Sequence, residues 1–425
     1  MRDYITEPEE HLSDSPPRKE QGQSRGESRP SFAPRGLRRK FAYGLKIFPS
    51  FVWQRFARRL PRGRTHLMLA LADHFEPAIV PGDGQARAPY AEQERRLERW
   101  CREYPIIVGP WRDRDGRAFI HTYFYPAEQY DRGLVGRLAE HCAEGWGEIE
   151  VHLHHGIPNP DTAENTTRTL VTFRDALALE HGCLSYADGT GQPRYVFVHG
   201  NFALANSANG FGCGVDEELQ ILADTGCYAD MTLPASPFHP SQCAKINSLY
   251  ECEPPLKERA AYRRGQDLIS GRTPDKFPLI VQGPLTLDFS APGARRLRID
   301  NGAFSGSNPP TIERWQLWKR AAVSVKGKPN WLFLKLHCHG MDPTQRDAVA
   351  GDAFRNFLRS LVEGADERNE VLHFVSAREM VNIILAACDG REGDPGDYRE
   401  YRFKRRKGAN SEATIPAASQ AALRG

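Results

Sequence analysis

Residues 147–156, GEIEVHLHHG, put three histidines and two glutamates into a run that otherwise alternates like a β-strand. Alternation turns Glu148, Glu150, His152 and His154 to one face, and Ile149, Val151 and Leu153 to the other. The apolar face has packing to do. Glutamate and histidine are poor filler for a core, so the polar face asks for chemistry. A second His-x-His, His337 and His339, ends the run LFLKLHCHG, and ADHFEP places Asp73, His74 and Glu76 at the end of another apolar run. Imidazoles at i and i+2 project to one side and can chelate one ion. Two such pairs with an Asp-His pair point to a divalent metal, most simply Zn²⁺. Cys338 is turned away from its flanking histidines by the same alternation and reads as a buried thiol. His66, His121, His141, His181, His239 and His373 lack such company and read as structural. The glycine-rich NGFGCG (209–214) has neither the Lys-Ser/Thr of a P-loop nor a strand directly before it, and reads as a plain loop.

Strand-like apolar runs occur at 65–72, 118–125, 147–154, 194–200, 228–233, 279–289, 330–337 and 371–377. Amphipathic helical stretches at 128–145, 161–181, 214–225, 310–325, 345–364 and 377–388 separate most of them. Pro309, Pro310 and Thr311 mark one helix entry. Strands alternating with helices argue an α/β fold with a parallel sheet. Seven or eight such units argue a distorted (β/α) barrel, whose chemistry sits at the C-terminal strand ends. The polar residues gather at those ends: Asp73, His74 and Glu76, then His152, His154 and His155, then His199 and Asn201, then Asp230, then His337 and His339.

The flanks differ in composition. Residues 1–34 are polar and charged and read as a disordered tail. Residues 35–64 hold ten basic side chains and no acidic one, with aromatics interleaved. They read as an arm packing its aromatics on the domain, against a competing reading as an amphipathic segment on an anionic membrane surface. The barrel spans 65–390 without a linker, and 391–425 reads as a second basic, disordered tail. A net charge of +3 says little about partners, and nothing elsewhere supports nucleic-acid binding. The opening residues show no secretory signal, and no apolar run is long enough to span a membrane. Nine cysteines, none in a CxxC pair, suit a reducing compartment, so the expected location is cytoplasmic.

The order LADHFEP, HTYFYP, a helix ending in GWGEIEVHLHH, GCYADMTLP and FLKLHCHG resembles the polysaccharide deacetylase (NodB-homology) family across about 65–390. These stretches match, in turn, the family's TFDDG strand end, its TFF strand, its HSxxH metal motif, its GYxYDSS strand and its closing LLLH. The resemblance implies that Asp73 is the general base and that His74 stands at the position of a metal-binding aspartate. His152 matches the first histidine of HSxxH. The position four later is Gly156, so His154 or His155 has to supply the second imidazole. Asn201 is the polar substitute for the arginine that braces the base.

The implied activity is hydrolysis of an amide, most simply N-deacetylation of an acetylated sugar or glycan intermediate at the inner membrane face. Metal-activated water attacks, His337 protonates the departing amine, and Glu150 orients a ligand ring from behind. Glu76, His199, Asn201, Asp230 and His339 are left to bind substrate. The rival readings are a hydrolase of small or cyclic amides, and a non-catalytic barrel that serves envelope-polysaccharide synthesis as a binding or assembly component.

Overall fold

The run THLMLALADH is apolar on both of its faces, which suits a strand covered on both sides. It forms the central strand in the computed structural model, which describes residues 47–54, 58, 60–61, 63–83, 86–235, 238–288 and 298–405. The expected tail at 1–34 lies outside the described residues. Strands β1 (Thr65–His74), β2 (His121–Pro126), β3 (Gly147–Leu153), β4 (Ser185–Ala187), β5 (Thr190–His199), β6 (Cys227–Asp230) and β7 (Leu249–Cys252) are followed by β8 (Gly265–Asp267), β9 (Leu279–Val281), β10 (Thr286–Asp288), β11 (Arg298–Asp300), β12 (Trp331–Cys338), β13 (Glu370–Phe374) and β14 (Phe403–Arg405). Between them run α1 (Tyr90–Val108), α2 (Arg132–His141), α3 (Ala163–Asp175), α4 (Glu218–Thr225), α5 (Ile312–Lys319), α6 (Arg346–Ala350), α7 (Asp352–Glu363) and α8 (Ala377–Cys388).

Each of the eight expected strands is present. The run 279–289 divides into β9 and β10, and the stretch 345–364 breaks at Gly351 into α6 and α7. Helix α1 was not expected. The main sheet runs β12-β1-β2-β3-β5-β6-β9-β7-β8, with β13 also paired to β1. Its pairings are parallel from β12 to β9, and β7 and β8 add an antiparallel edge. The fold is therefore mixed α/β with a large, mostly parallel sheet. Among the described residues the ladders make a path and include no ring-closing pair. The sheet nevertheless curls: a Cβ on Gly283, just past β9, would lie 2.1 Å from the Lys335 carbonyl oxygen of β12.

Parallel register sets which side chains share a face. Ala70 lies beside Lys335 and Ala72 beside His337, whereas Asp73 lies beside Cys338 on the opposite face. The first face, with Ala70, Ala72, Val196, Val198, Ala229 and Phe333, packs on α8. All residues of α8 are buried, as an apolar circumference such as MVNIILAAC demands. The second face packs on the outer helices, with Trp100 and Tyr104 of α1 against His121.

Helix α8 is tied to the sheet by polar groups. Ser376 and Glu379 form a capping box at its start, and the Ala377 N–H donates to Thr122 Oγ1 at 2.9 Å. Arg378 places Nη2 2.7 Å from Glu148 Oε1, with both residues buried. The chain stays packed beyond 390. Arg399 pairs with Asp113 and Asp115, and β14 pairs with β4, so residues 391–405 belong to the domain rather than to the expected tail. The described part of the arm, helical at 47–54, also docks. Ile47 is buried against Ile246 and Leu285, and Gln54 donates to the Ile246 carbonyl. Phe48, Val52 and Trp53 stay exposed. Among the described residues, no helix is long and apolar enough to cross a membrane.

Two predictions follow from the buried polar groups. Removing one member of a buried ion pair costs about 3–5 kcal/mol, because the other is left uncompensated. Arg378 also pairs with Glu400, so the informative removal is Arg378→Met, which should lower the denaturant midpoint far more than Arg378→Met combined with Glu148→Leu, and equal losses would deny the pair this role. His141 Nε2 lies 3.0 Å from the Tyr123 hydroxyl, and burial, helped by His121 and Arg137, holds its imidazole down at about 3. The unfolded chain takes up this proton near pH ~6.5 and the folded chain does not. Stability should therefore fall as the pH drops from about 6.5 towards 3, and His141→Gln should make that acid limb shallower in pH-dependent denaturation.

Candidate metal centre

Strands β12 and β1, and β3 one strand further on across β2, end on the face that α8 covers. Alternation brings His74, then His152 and His154, then His337 and His339 to one end of it. The His74 ring lies 4.6 Å from the rings of both His152 and His339, and His152 lies 4.6 Å from His154. Glu76 follows β1 and reaches into the group, its Oε1 3.4 Å from His152 Nε2 and 3.5 Å from His154 Nε2. Two overlapping donor sets result, His74/Glu76/His339 and Glu76/His152/His154, each with its donor atoms within 4.8 Å of one another. Such groups can hold a divalent cation.

The rings are aimed by what stands behind them. His152 Nδ1–H donates to the Val198 carbonyl at 2.8 Å, which directs the Nε2 lone pair inwards. His154 Nδ1 lies 2.8 Å from Glu128 Oε1, and the other oxygen of Glu128 accepts the His154 N–H. A carboxylate or carbonyl behind the ring is what metal-binding histidines use to fix tautomer and direction. His152 Nε2 and His74 Nδ1 are buried without a hydrogen-bond partner among the described residues. Orphaned buried nitrogens are costly and need an explanation, and a cation is the simplest one. Gly200 makes room for the cluster, since a Cβ there would fall 2.3 Å from the His154 ring.

The electrostatics of the cluster are divided, with positive charge drawn to the carboxylates and resisted around His74 and His337. Burial alone would raise the Glu76 carboxyl, but His154 and His152 outweigh it and hold it at about 2. Burial pushes the His154 imidazole down, yet Glu76 and Glu128 lift it to about 9. His74 lies well below the usual imidazole range, through burial and then through His152 and His339. His337 is likewise held well below that range, by burial first and Lys335 next. It is therefore neutral, not the charged donor that an ordinary imidazole would supply.

The structure divides the expected site residues. His74, His152 and His154 come together, and Glu76 and His339, expected at the substrate, stand among the donors instead. His337 borders the group, its ring 6.5 Å from that of His74. Asp73, the expected base, points to the other face of β1. Its Oδ2 pairs with His121 Nε2 at 2.8 Å and its Oδ1 accepts the Gly340 N–H at 2.6 Å. It anchors the turn after His339 rather than touching the cluster. His155 and His199 lie on that other face too, 3.1 Å apart at their Nε2 atoms. Asn201 donates to the His155 and Gly212 carbonyls, and Asp230 accepts from Thr232, so neither reaches the cluster. Glu150 accepts the Val196 N–H at 2.7 Å, and the ring-orienting role expected of it falls to Glu128.

Glu128 escaped the sequence reading because it sits in the turn after β2, far along the chain from its partner. Phe202 was missed as well. It adopts φ of +57°, a strained choice for an aromatic residue, and brings its ring to 5.4 Å from His74. No protein-family model matches the sequence, and no curated protein matches it either.

Asp73 provides a test of the division. Asn can still accept from Gly340 and pair with His121, so Asp73→Asn should keep bound metal and the melting temperature of the parent. Asp73→Ala should lower both by releasing the Gly340 turn. A loss of metal or fold in Asp73→Asn as large as in Asp73→Ala would contradict the anchoring role.

Proposed function

We propose that this chain is a metal-dependent hydrolase of amide bonds, most simply an N-deacetylase of an acetylated sugar or glycan intermediate. One observation carries the reading: His74, His152, His154, His339 and Glu76 converge at strand ends, with His152 Nε2 and His74 Nδ1 buried and without a hydrogen-bond partner among the described residues. The donor set suits a divalent ion of borderline softness such as Zn²⁺. Such an ion supplies Lewis acidity to a carbonyl and acidifies water.

The chain's own groups supply the rest. The carboxylate of Glu128 keeps the His154 ring aimed, and the Val198 carbonyl does the same for His152. Phe202 presents an apolar wall over His74 that shields an acyl methyl group or a sugar face from water. His337, kept neutral by burial, accepts a proton at its unpartnered Nδ1 as water attacks and passes it to the departing nitrogen. Lys335, directly below on the same face, donates to the Met231 carbonyl at 2.8 Å. Burial, against the pull of Asp230, brings its ammonium down to about 7. The exposed Phe48, Val52 and Trp53 fit a cytoplasmic enzyme whose arm rests against the inner, anionic membrane face.

His152→Ala should lower the metal content by one ion per chain while the protein stays folded by circular dichroism. His337→Ala should keep the metal and slow amide hydrolysis by about 10²–10⁴-fold, the range of a lost acid–base group. Activity would be read on N-acetylhexosamine oligomers and on small linear and cyclic amides in parallel. Turnover of the small amides alone moves the substrate class, and turnover of neither overturns the enzyme reading. Full metal content in His152→Ala overturns the centre.

A further inference from the structure

A second constellation lies behind the first, on the opposite face of the sheet. The His155 Nε2, His199 Nε2, Cys213 Sγ and Glu218 carboxylate donors all lie within 4.8 Å of one another. His155 Nε2 is 3.1 Å from His199 Nε2 and 2.9 Å from Glu218 Oε1, which is 3.5 Å from His199 Nε2. Cys213 Sγ is 3.5 Å from Glu218 Oε2. Tetrahedral zinc with bonds of about 2.0–2.3 Å holds its ligands about 3.3–3.7 Å apart. The His199–Glu218 and Cys213–Glu218 separations match that spacing, and the two from His155 are shorter. We propose that His155, His199, Cys213 and Glu218 form a second, structural zinc site, closed by four protein ligands and separate from the centre at His74 and His152.

The surroundings are built to hold these donors. His199 and Glu218 are fully buried, and Cys213 is as well. The second ring nitrogen of His155 faces Asp161 Oδ2 at 2.9 Å, and Asp161 also receives the Thr166 hydroxyl. Glu218 Oε2 accepts the Ala205 N–H, and the Val215 N–H points at Cys213 Sγ from 3.5 Å. An N–H directed at sulfur favours the thiolate that zinc requires. The glycines of the 209–214 loop are what bring Cys213 in. Gly156 has φ of +70°, and a Cβ there would strike the Cys213 backbone at 2.2 Å. The Gly212 N–H donates to the Gly156 carbonyl and the Asp161 N–H to that of Cys213.

Donor chemistry selects the ion and its role. One thiolate, two imidazoles and one carboxylate match borderline-soft Zn²⁺, and four protein ligands leave no open position for a substrate. The ion joins the end of β3, the end of β5, the 209–214 loop and the first turn of α4. Since His155 follows His154 directly, it also fixes the backbone that presents His152 and His154. The competing arrangement has no ion. There a proton is shared along Asp161, His155, Glu218 and His199, and His199 Nδ1 accepts the Asn201 N–H at 3.2 Å.

The test uses the full chain reconstituted with Zn²⁺ or Co²⁺ by equilibrium dialysis, with metal counted by elemental analysis. Two ions per chain are expected, and the Co²⁺ protein should show a thiolate-to-cobalt charge-transfer band in the near ultraviolet. Cys213→Ser should remove that band. His152→Ala should lose one ion yet keep the band, which separates this site from the first. Zinc X-ray absorption on the parent protein needs no variant and should find sulfur at about 2.3 Å. Absence of sulfur around zinc, no thiolate band in the parent, or an unchanged band in Cys213→Ser would each overturn the site and favour the proton-sharing arrangement.

Discussion

Two adjacent side chains at the end of a β-strand cannot point the same way. His154 and His155 obey that rule at the end of β3, and the arrangement of both donor groups follows from it. His154 turns to the face of α8 and meets His152, Glu76 and His74. His155 turns to the outer helices and meets His199, Cys213 and Glu218. The same alternation separates His74 from Asp73 on β1, and His337 and His339 from Cys338 on β12. Because these strands are parallel and in register, equivalent positions on neighbours share a face, and each face collects its own set of ligands at one end of the sheet.

Packing such groups away from water is expensive. A buried, unpaired carboxylate or imidazolium costs several kcal/mol, so each must find an opposite charge, a proton or a hydrogen bond. The pattern of shifts in the first cluster shows the competition. Burial opposes charge on Glu76 and on His154, yet each is held in its charged form by the other. Burial keeps His74 and His337 neutral, and it does the same to His152 although Glu76 and Glu128 pull the other way. Neutral imidazoles beside an ionised carboxylate make a set of lone pairs waiting for a cation.

How much of this could be read from the chain depends on range. The strands were legible because parallel strands, covered on both faces, are written as continuous apolar runs. The histidine cluster was legible because His152 with His154 and His337 with His339 stand at His-x-His spacing, and His74 closes a strand. Helix α1 was not, since Pro105 inside it and the charged run EQERRLER disguise a buried stripe of Leu97, Trp100, Cys101 and Tyr104. The role of Asp73 was misjudged from its motif, although its alternation with His74 already set it on the other face. Glu128, Cys213 and Glu218 carry no local signal. Only the tertiary fold brings them to His154 and His155, from 26 to 63 residues away.

The floor beneath the first cluster explains why a buried helix completes the fold. Layers of small and apolar side chains on the sheet, Ala70, Ala72, Val196 and Val198, leave a volume that α8 fills. The cavity side of β3 is polar even there, with Glu148 and Glu150 below His152. An apolar helix alone would strand those carboxyls. Arg378 answers Glu148 with a paired charge. Glu150 has no cation in contact among the described residues, and burial raises its carboxyl well above the usual range, so it stays protonated while accepting the Val196 N–H. The two glutamates in the opening motif therefore serve the fold and the histidines above them serve the site. The polar face of GEIEVHLHHG changes its task midway along a single strand, from holding α8 in place to presenting imidazoles.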